Sequence, residues 1–229
     1  MIRISIIPIL FLLFSSCAND EKWKDPDAVF FDYKIRGEER DSNITVYIQY
    51  RMGGPNGTTL VLNDPAKVQL DGEIIPVDSA RLTGVFYEIQ RPAHSFAGEH
   101  TITFTNPEGK QYNEEFDYQP FSLKTNIPAI VYRGDLVFDF EGLKPGDHIR
   151  VVATDTSFLS KDINEIDTVR NGRLIIPANK LKNLVDGAII LLLSRETDRS
   201  VKNGTKQDGR IVVSYGLQRE FELKDVHIP

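Results

Sequence analysis

From residue 27 onward, apolar and polar residues alternate along short runs of the chain. In ITVYIQY, Ile44, Val46, Ile48 and Tyr50 fall on one face of an extended segment. This period of two predicts a half-buried antiparallel strand. Gly, Pro, Asn and Asp separate such runs, and ANKLKNL, residues 178–184, is the one segment with helical character. We therefore predict an all-β chain with one short corner helix.

Turn residues divide the runs into hairpins. Asp71-Gly72 lies between two apolar arms, and these residue types suit the positive φ angles that a type I′ turn requires. GEHTITFTNPEGKQY, residues 98–112, predicts two further strands around a turn at residues 106–109. A second series follows Pro120, with strands predicted at residues 136–140, 149–154, 173–177, 188–193 and 211–217.

Two segments resemble parts of a known fold family. GEHTITF, residues 98–104, is similar to the penultimate strand of immunoglobulin-like domains, with His100 at the place of the tyrosine-corner aromatic. Residues 172–193 resemble the strand, short helix, glycine and strand of bacterial immunoglobulin-like modules. The resemblance implies two tandem immunoglobulin-like antiparallel β-sandwiches, residues 27–120 and 121–229, joined near residues 118–128. One continuous sandwich of about 200 residues is the alternative.

The amino terminus has the pattern of a secretion signal. Residues 1–16 combine Arg3 with an apolar run and two small residues directly before Cys17. LFSSC, residues 13–17, resembles the lipobox of bacterial lipoproteins, in which the peptide is cut before a cysteine that carries diacylglycerol. The resemblance implies that Cys17 is lipidated and that residues 17–26 form a flexible tether. An ordinary signal peptide with an incidental cysteine is the alternative.

The charged residues and the single cysteine bear on the location, the partners and the stability of the chain. The acidic residues soon after Cys17 resemble the export signals of surface lipoproteins in Bacteroidota-type bacteria. The expected localisation is therefore the outer membrane, facing the periplasm or, by preference, the cell surface. The formal net charge of -6 argues against nucleic acid and anionic lipid as partners. Cys17 is the only cysteine, so packed cores rather than disulfides must stabilise the chain.

The sequence contains none of the common catalytic motifs. It has no G-x-S-x-G elbow, P-loop or G-x-G-x-x-G, and its four histidines lack the spacing of a zinc site. We therefore predict no catalytic activity and no cofactor. One acidic connection offers hard oxygen ligands for calcium, and a simple hydrated loop is its alternative interpretation. The candidate calcium ligands are Asp155, Asp162, Asn164 and Asp167.

Two polar, glycine-containing segments are candidate ligand-binding loops. RMGGPNGT supplies Gly53, Gly54 and Asn56, and RETDRSVKNGTKQDGR supplies Asn203 and Asp208. The second segment is expected to be an exposed hairpin or loop at one end of the second sandwich.

Aromatic residues offer a second mode of recognition, by stacking on sugar rings. The candidates are Tyr47, Phe86, Tyr87 and Tyr112, for which packing within the sandwich is the alternative role.

The predicted function is a lipid-anchored binding module of the cell envelope that recognises a protein or a glycan without catalysis. Two alternatives stay open: an assembly or anchoring subunit that pairs strand edges with a neighbour, and an accessory glycan-binding lipoprotein of a polysaccharide uptake system.

Overall fold

The computed structural model describes residues 28–157 and 159–225. The predicted signal peptide, Cys17 and the tether lie outside the described residues. Within them, no helix is both long and apolar enough to span a membrane.

Almost all regular structure in the described residues is β-strand. The first half of the chain carries β1 (Val29–Glu38), β2 (Asn43–Met52), β3 (Thr58–Thr59), β4 (Lys67–Leu70), β5 (Glu73–Ile74), β6 (Val77–Ala80), β7 (Gly84–Pro92), β8 (Gly98–Thr105) and β9 (Gln111–Tyr118). The second half carries β10 (Ser122–Leu123), β11 (Ile130–Tyr132), β12 (Leu136–Glu141), β13 (His148–Asp155), β14 (Ile163–Thr168), β15 (Arg173–Ile176), β16 (Gly187–Thr205) and β17 (Asp208–Lys224). A 3₁₀ turn at Ala93–Ser95 and the helix α1 (Ala178–Leu181) are the described helical elements.

Three sheets form two sandwiches. The ten-stranded sheet runs in the order β14-β13-β16-β17-β1-β2-β7-β6, with β11 beside β17 and β3 beside β2. The four-stranded sheet β5-β4-β8-β9 covers one half of this long sheet, and the three-stranded sheet β10-β12-β15 covers the other. The predicted all-β sandwich class is confirmed.

The hairpin turn and the corner helix that the sequence predicts are both present. Asp71 and Gly72 have φ angles of 49° and 85°, as the predicted hairpin turn requires, and join β4 to β5. The predicted corner helix is present as α1, which buries Leu181 before the chain enters β16.

The prediction of purely antiparallel sheets is wrong at two pairs, β1 with β17 and the short strand β11 with β17. β1 lies parallel to β17, with Phe31 opposite Gly209 and Glu38 opposite Gly216. Both strands leave the same end of the molecule, β1 at the start of the described chain and β17 after the turn at residues 205–208. Gly209 suits this close pairing, since a Cβ atom there would lie 2.8 Å from the carbonyl oxygen of Phe31.

The long hairpin of β16 and β17 belongs to both sandwiches. On the inward face of β16, Ile189, Leu191 and Leu193 pack into the second core, whereas Val201 packs into the first. Tyr215 of β17 lies at the centre and packs against both cores. The prediction of a hairpin at residues 195–210 is confirmed, but its predicted place at one end of the second sandwich is wrong, because this segment completes the first sandwich.

Each sandwich therefore has its own core, and one hairpin runs through both. The first core takes most of its residues from β1 to β9 but also includes Val201 and Ile211. The second core is formed by residues between Phe121 and Leu223. The proposed division of the chain at residue 120 stays a prediction. The long hairpin lies after this point in the sequence but contributes residues to both cores.

Candidate functional site

A concave surface lies where β16 passes from the second core to the first. A cleft of about 290 Å³ opens there, and a second cavity of about 470 Å³ continues it along β9. The two share Phe116, Asp117 and Arg199 in their linings, and we call them together the junction groove. Further lining residues are Glu99, His100, Thr101, Glu115, Gln119, Lys144, Asp147, Arg195, Thr197, Lys202, Ile211 and Val213.

Side chains from β16 form one wall of the groove by holding the outer edge of β9. Arg195 donates to the carbonyl oxygen of Gln119 and lies 3.4 Å from the Asp147 carboxylate. Arg199 donates to the carbonyl oxygen of Glu115 at 2.8 Å. Arg195 and Arg199 lie on the same face of β16 as Leu193 and Val201, because side chains alternate along a strand. The face that is apolar inside the two cores is therefore polar at the junction.

A buried carboxylate ties the two layers together below this wall. Glu114 is 2% exposed, and its oxygens accept bonds from Arg199 Nη1 at 2.5 Å and from the backbone N–H of Lys202 at 2.6 Å. Since a buried charge is costly without partners, this ion pair fixes β16 against β9. The position of the groove wall is therefore set by the fold.

His100 closes the far end of the groove. Its Nδ1 lies 2.7 Å from Asp71 Oδ2 and its Nε2 lies 2.9 Å from the carbonyl oxygen of Phe96, on whose ring it stacks at 3.9 Å. The contact to a backbone carbonyl four residues upstream is the role expected from its tyrosine-corner position. His100 thereby joins the β4–β5 turn to β8.

The remaining groups give the groove both signs of charge. Lys144 and Lys202 are exposed, as are Glu99, Glu115 and Asp117. Glu99 and Asp117 are direct partners across β8 and β9, so their side chains point to the same face. An open, charged surface of this kind suits a polar ligand that spans several contacts, rather than an apolar small molecule enclosed in a cavity.

The predicted ligand-binding loops come together at one end of the first sandwich, where Asn203 directly follows the groove residue Lys202. Gly53 donates to the carbonyl oxygen of Ala28 at 3.2 Å, and a Cβ atom on Gly54 would lie 3.7 Å from Gln207 Oε1. Asn203 donates to the carbonyl oxygen of Asn113 at 3.0 Å. Asn56 lies in the same exposed turn as the two glycines, and Asp208 lies in the turn of the long hairpin. All five residues thus lie at the end of the first sandwich where β1 starts.

The candidate calcium ligands do not form one set. Asn164 and Asp167 are three residues apart on β14, so their side chains point to opposite faces, and Asp162 is exposed. Asn164 accepts a bond from Arg150 at 2.9 Å. Among the described residues, no group of three or more His, Cys, Asp or Glu side chains is placed to hold a metal ion.

Asp155, a candidate calcium ligand, is bonded to groups of its own loop. Its side chain is 1% exposed and accepts bonds from the hydroxyls of Ser157 and Ser160 and from the backbone N–H groups of Leu159 and Ser160. The hydroxyl of Ser157, followed by that of Ser160, holds the pKa of Asp155 well below its usual range. Asp155 therefore caps the turn that follows β13.

The aromatic candidates pack within the sheets. Tyr87 and Tyr112 belong to the first core. Tyr47 and Phe86 lie on the outer face and stack on each other at 5.0 Å, and Lys34 Nζ lies 5.7 Å from the Tyr47 ring centroid. Because Lys34 and Phe86 both contact this ring, the pair serves the sheet more than a sugar-stacking surface.

The sequence indicated the groove only in part: Arg195, Thr197, Arg199 and Lys202 lie in the predicted binding segment 195–210, whereas no pattern marked the residues of β9. Glu114, Arg195 and Arg199 stand in ordinary polar runs, and 85 residues separate Glu114 from its arginine. One clue was available in β16. The apolar residues that alternate up to Leu193 are followed on the same face by polar residues, and the face is apolar again at Val201.

Comparison with known proteins gives only distant likeness. No protein-family model matches the chain, and no curated protein matches it significantly. The IG1 and IG2 domains of DIP-gamma are 12% identical, with a TM-score of 0.24, and the alignment covers 86% of this chain and 95% of that one. The fibronectin(III)-like modules of Clostridium thermocellum CbhA are 12% identical, with a TM-score of 0.24 and coverages of 88% and 96%. The Bacteroides ovatus SGBP-B, solved with a mixed-linkage heptasaccharide, is 11% identical, with a TM-score of 0.21 and coverages of 87% and 61%. These alignments carry no argument about function.

Proposed function

We propose that the protein is a lipid-anchored, non-catalytic binding module of the cell envelope, which holds a polar partner, protein or glycan, in the junction groove. The observation that carries this proposal is the groove itself, an open charged surface whose wall is fixed by the buried Glu114–Arg199 pair. A rigid wall with exposed groups of both signs favours recognition by hydrogen bonds and ion pairs.

The absence of catalysis is also part of the proposal. In the groove, Glu99, Glu115 and Asp117 are exposed, and the buried carboxylate of Glu114 is held by Arg199. General acids are commonly placed in desolvated sites, whereas these three carboxylates are open to water.

The strand edges disfavour the alternative of an assembly subunit that pairs with a neighbouring sheet. The terminal strands of the ten-stranded sheet are β6 and β14. On β6, the N–H of Ser79 donates to Asp78 Oδ1 at 2.6 Å, and on β14 the N–H of Thr168 donates to Asp167 Oδ1 at 2.7 Å. An edge whose donor is already bonded and flanked by charge is a poor template for another strand.

Replacing the lipidation site tests the anchor. We expect the Cys17→Ala variant to move from the membrane fraction to the soluble fraction, because the acyl chains at Cys17 hold the chain on the bilayer. Ser16→Ala is the matched control, since it keeps the cysteine and should leave the protein in the membrane. A Cys17→Ala variant that stays in the membrane fraction to the same extent would refute the anchor.

The same cells test the proposed outer-membrane location at the cell surface. A tag placed after β17 should be lost when intact cells are treated with protease, while a periplasmic marker stays intact. A protected tag would assign the protein to the periplasmic face.

A further inference from the structure

The backbone of β9 presents an edge to the junction groove. β9 is the terminal strand of the four-stranded sheet and pairs there with β8. The N–H of Asp71 donates to the carbonyl oxygen of Thr101, so the odd-numbered residues of β8 turn their backbone groups toward β4 and the turn after it. Asp117 lies opposite Glu99 in the antiparallel ladder, and its N–H and C=O groups therefore point away from β8.

Side chains of β16 bond to this edge on both sides of Asp117. Arg199 donates to the carbonyl oxygen of Glu115 at 2.8 Å, and Arg195 donates to that of Gln119. Within the described part of the chain, neither the N–H nor the C=O of Asp117 makes a hydrogen bond. The edge is thus free at one residue, in an interval of about 13 Å between the two arginine contacts.

The sandwich is open directly below this interval. Thr197 stands between the two arginines on the inward face of β16, beside its strand partner Val213. Leu193 and Val201 lie on the same face and are buried, whereas Thr197 is exposed. We call this opening the window, bounded by the two arginines, Thr197 and the backbone of Asp117.

The window has a polar rim and an apolar base. Its base is formed by Phe116, Ile211 and Val213, which line the cleft of about 290 Å³. A water molecule has a share of ~30 Å³ in the liquid, so the cleft has room for an aliphatic side chain. A ligand that fits this site carries backbone-like donors and acceptors at the rim and an apolar group below them.

We infer that the window receives an extended three-residue segment from a loop or chain end of a partner protein. This inference rests on the proposed binding role of the junction groove and narrows its ligand to a peptide. The middle residue of the segment exchanges two hydrogen bonds with Asp117, because the N–H and C=O of one extended residue point to the same side. Its side chain points outward beside that of Asp117, and its neighbours point inward, where one aliphatic side chain enters the cleft.

The arginine contacts limit the length of this pairing. Arg199 and Arg195 occupy the carbonyl oxygens of the edge two residues before and two residues after Asp117. A partner chain must therefore turn away from β9 beyond three residues. This favours a loop or a chain end over a full strand of a neighbouring sheet.

Titration with a blocked tripeptide tests the pairing. The probe is acetyl-Val-Gln-Val-amide, added at millimolar concentration to the isotope-labelled full-length protein in detergent. We expect saturable shifts of the amide NMR signals of Asp117 and Thr197, and none at Asn113, whose N–H lies on the same edge outside the window. Acetyl-Ser-Gln-Ser-amide should bind about ten-fold more weakly, since it keeps the backbone but has no aliphatic side chain to bury. Equal binding of the two peptides, or no shift at Asp117, overturns the inference.

A matched pair of variants on β16 tests the window. Thr197→Tyr places a large side chain in the opening and should abolish the shift at Asp117. Glu196→Tyr adds the same side chain on the outer face of β16 and should leave the shift unchanged. Equal shifts in the two variants would show that the peptide binds elsewhere.

Photo-crosslinking from position 197 in intact cells separates this inference from the proposed function. A polypeptide adduct that an excess of acetyl-Val-Gln-Val-amide suppresses supports the inference, and one that it leaves unchanged overturns it. A carbohydrate adduct, identified by mass spectrometry, overturns the peptide ligand but leaves the groove as a binding site. The absence of any adduct overturns both proposals.

Discussion

Residues 28–120 expressed alone will not form the first sandwich as it exists in the full chain. The fragment lacks β17, which pairs with β1 from Phe31 to Glu38, and it lacks Val201 and Ile211 of the first core. It also leaves Glu114 without Arg199. Loss of a central strand, core side chains and the partner of a buried charge exceeds the usual net stability of a small domain. We expect a poorly dispersed amide NMR spectrum and no cooperative urea transition.

Complementation supplies the control for this prediction. Mixing residues 28–120 with residues 121–225 should restore dispersion, because the second fragment brings the long hairpin to β1. A fragment of residues 28–120 that unfolds cooperatively by itself would contradict the shared hairpin and would support two independent domains divided at residue 120.

Arg199→Met will lower the free energy of unfolding by about 3 kcal/mol, because it leaves the buried Glu114 carboxylate without its cation. The methionine keeps much of the apolar length of the arginine, so the change reports the lost charge more than lost packing. Urea denaturation followed by far-ultraviolet circular dichroism measures the difference.

Arg210→Met is the matched control on the same hairpin. Arg210 pairs with Asp198 at 2.6 Å on the outer face, where both side chains are about half exposed. Exposed pairs contribute little, so this change should lower the free energy of unfolding by less than about 1 kcal/mol. Equal losses for the two variants would show that Glu114 is not held as a buried charge.

The local part of the fold could be predicted from sequence. Alternation of side chains identified strands such as β2, and Asp71-Gly72 identified a turn because few residue pairs tolerate two positive φ angles. The corner helix before β16 also followed from its pattern. These features depend on residues that are neighbours in the chain.

The pairing of distant strands could not be predicted. Phe31 lies opposite Gly209, and nothing in either segment specifies a partner 178 residues away. The long strand β16 looked like a strand of residues 188–193 followed by a polar loop, because Arg195, Thr197 and Arg199 interrupt its apolar face. They do so because this part of the strand lies between two cores, where its inward face meets the junction groove.

For the same reason, the candidate site could be predicted only in part, through the segment 195–210 that supplies one of its walls. The groove is assembled from β9, β16 and the turn before β13, and no short motif marks such a combination. Conversely, acidic residues close in sequence suggested calcium, yet Asp155 is consumed by serine hydroxyls within its own turn. The sequence shows which side chains carry oxygen ligands, but not which groups those oxygens bind in the folded chain.

Photo-crosslinking from the junction groove in intact cells tests whether the groove binds a partner. A benzophenone amino acid at Thr197 would point into the junction groove, whereas the same residue at Glu196 would point to the outer face of β16, and both positions are exposed. We expect a discrete adduct of one partner from position 197 and none from position 196. No adduct from either position, or the same adducts from both, would contradict a binding role for the groove.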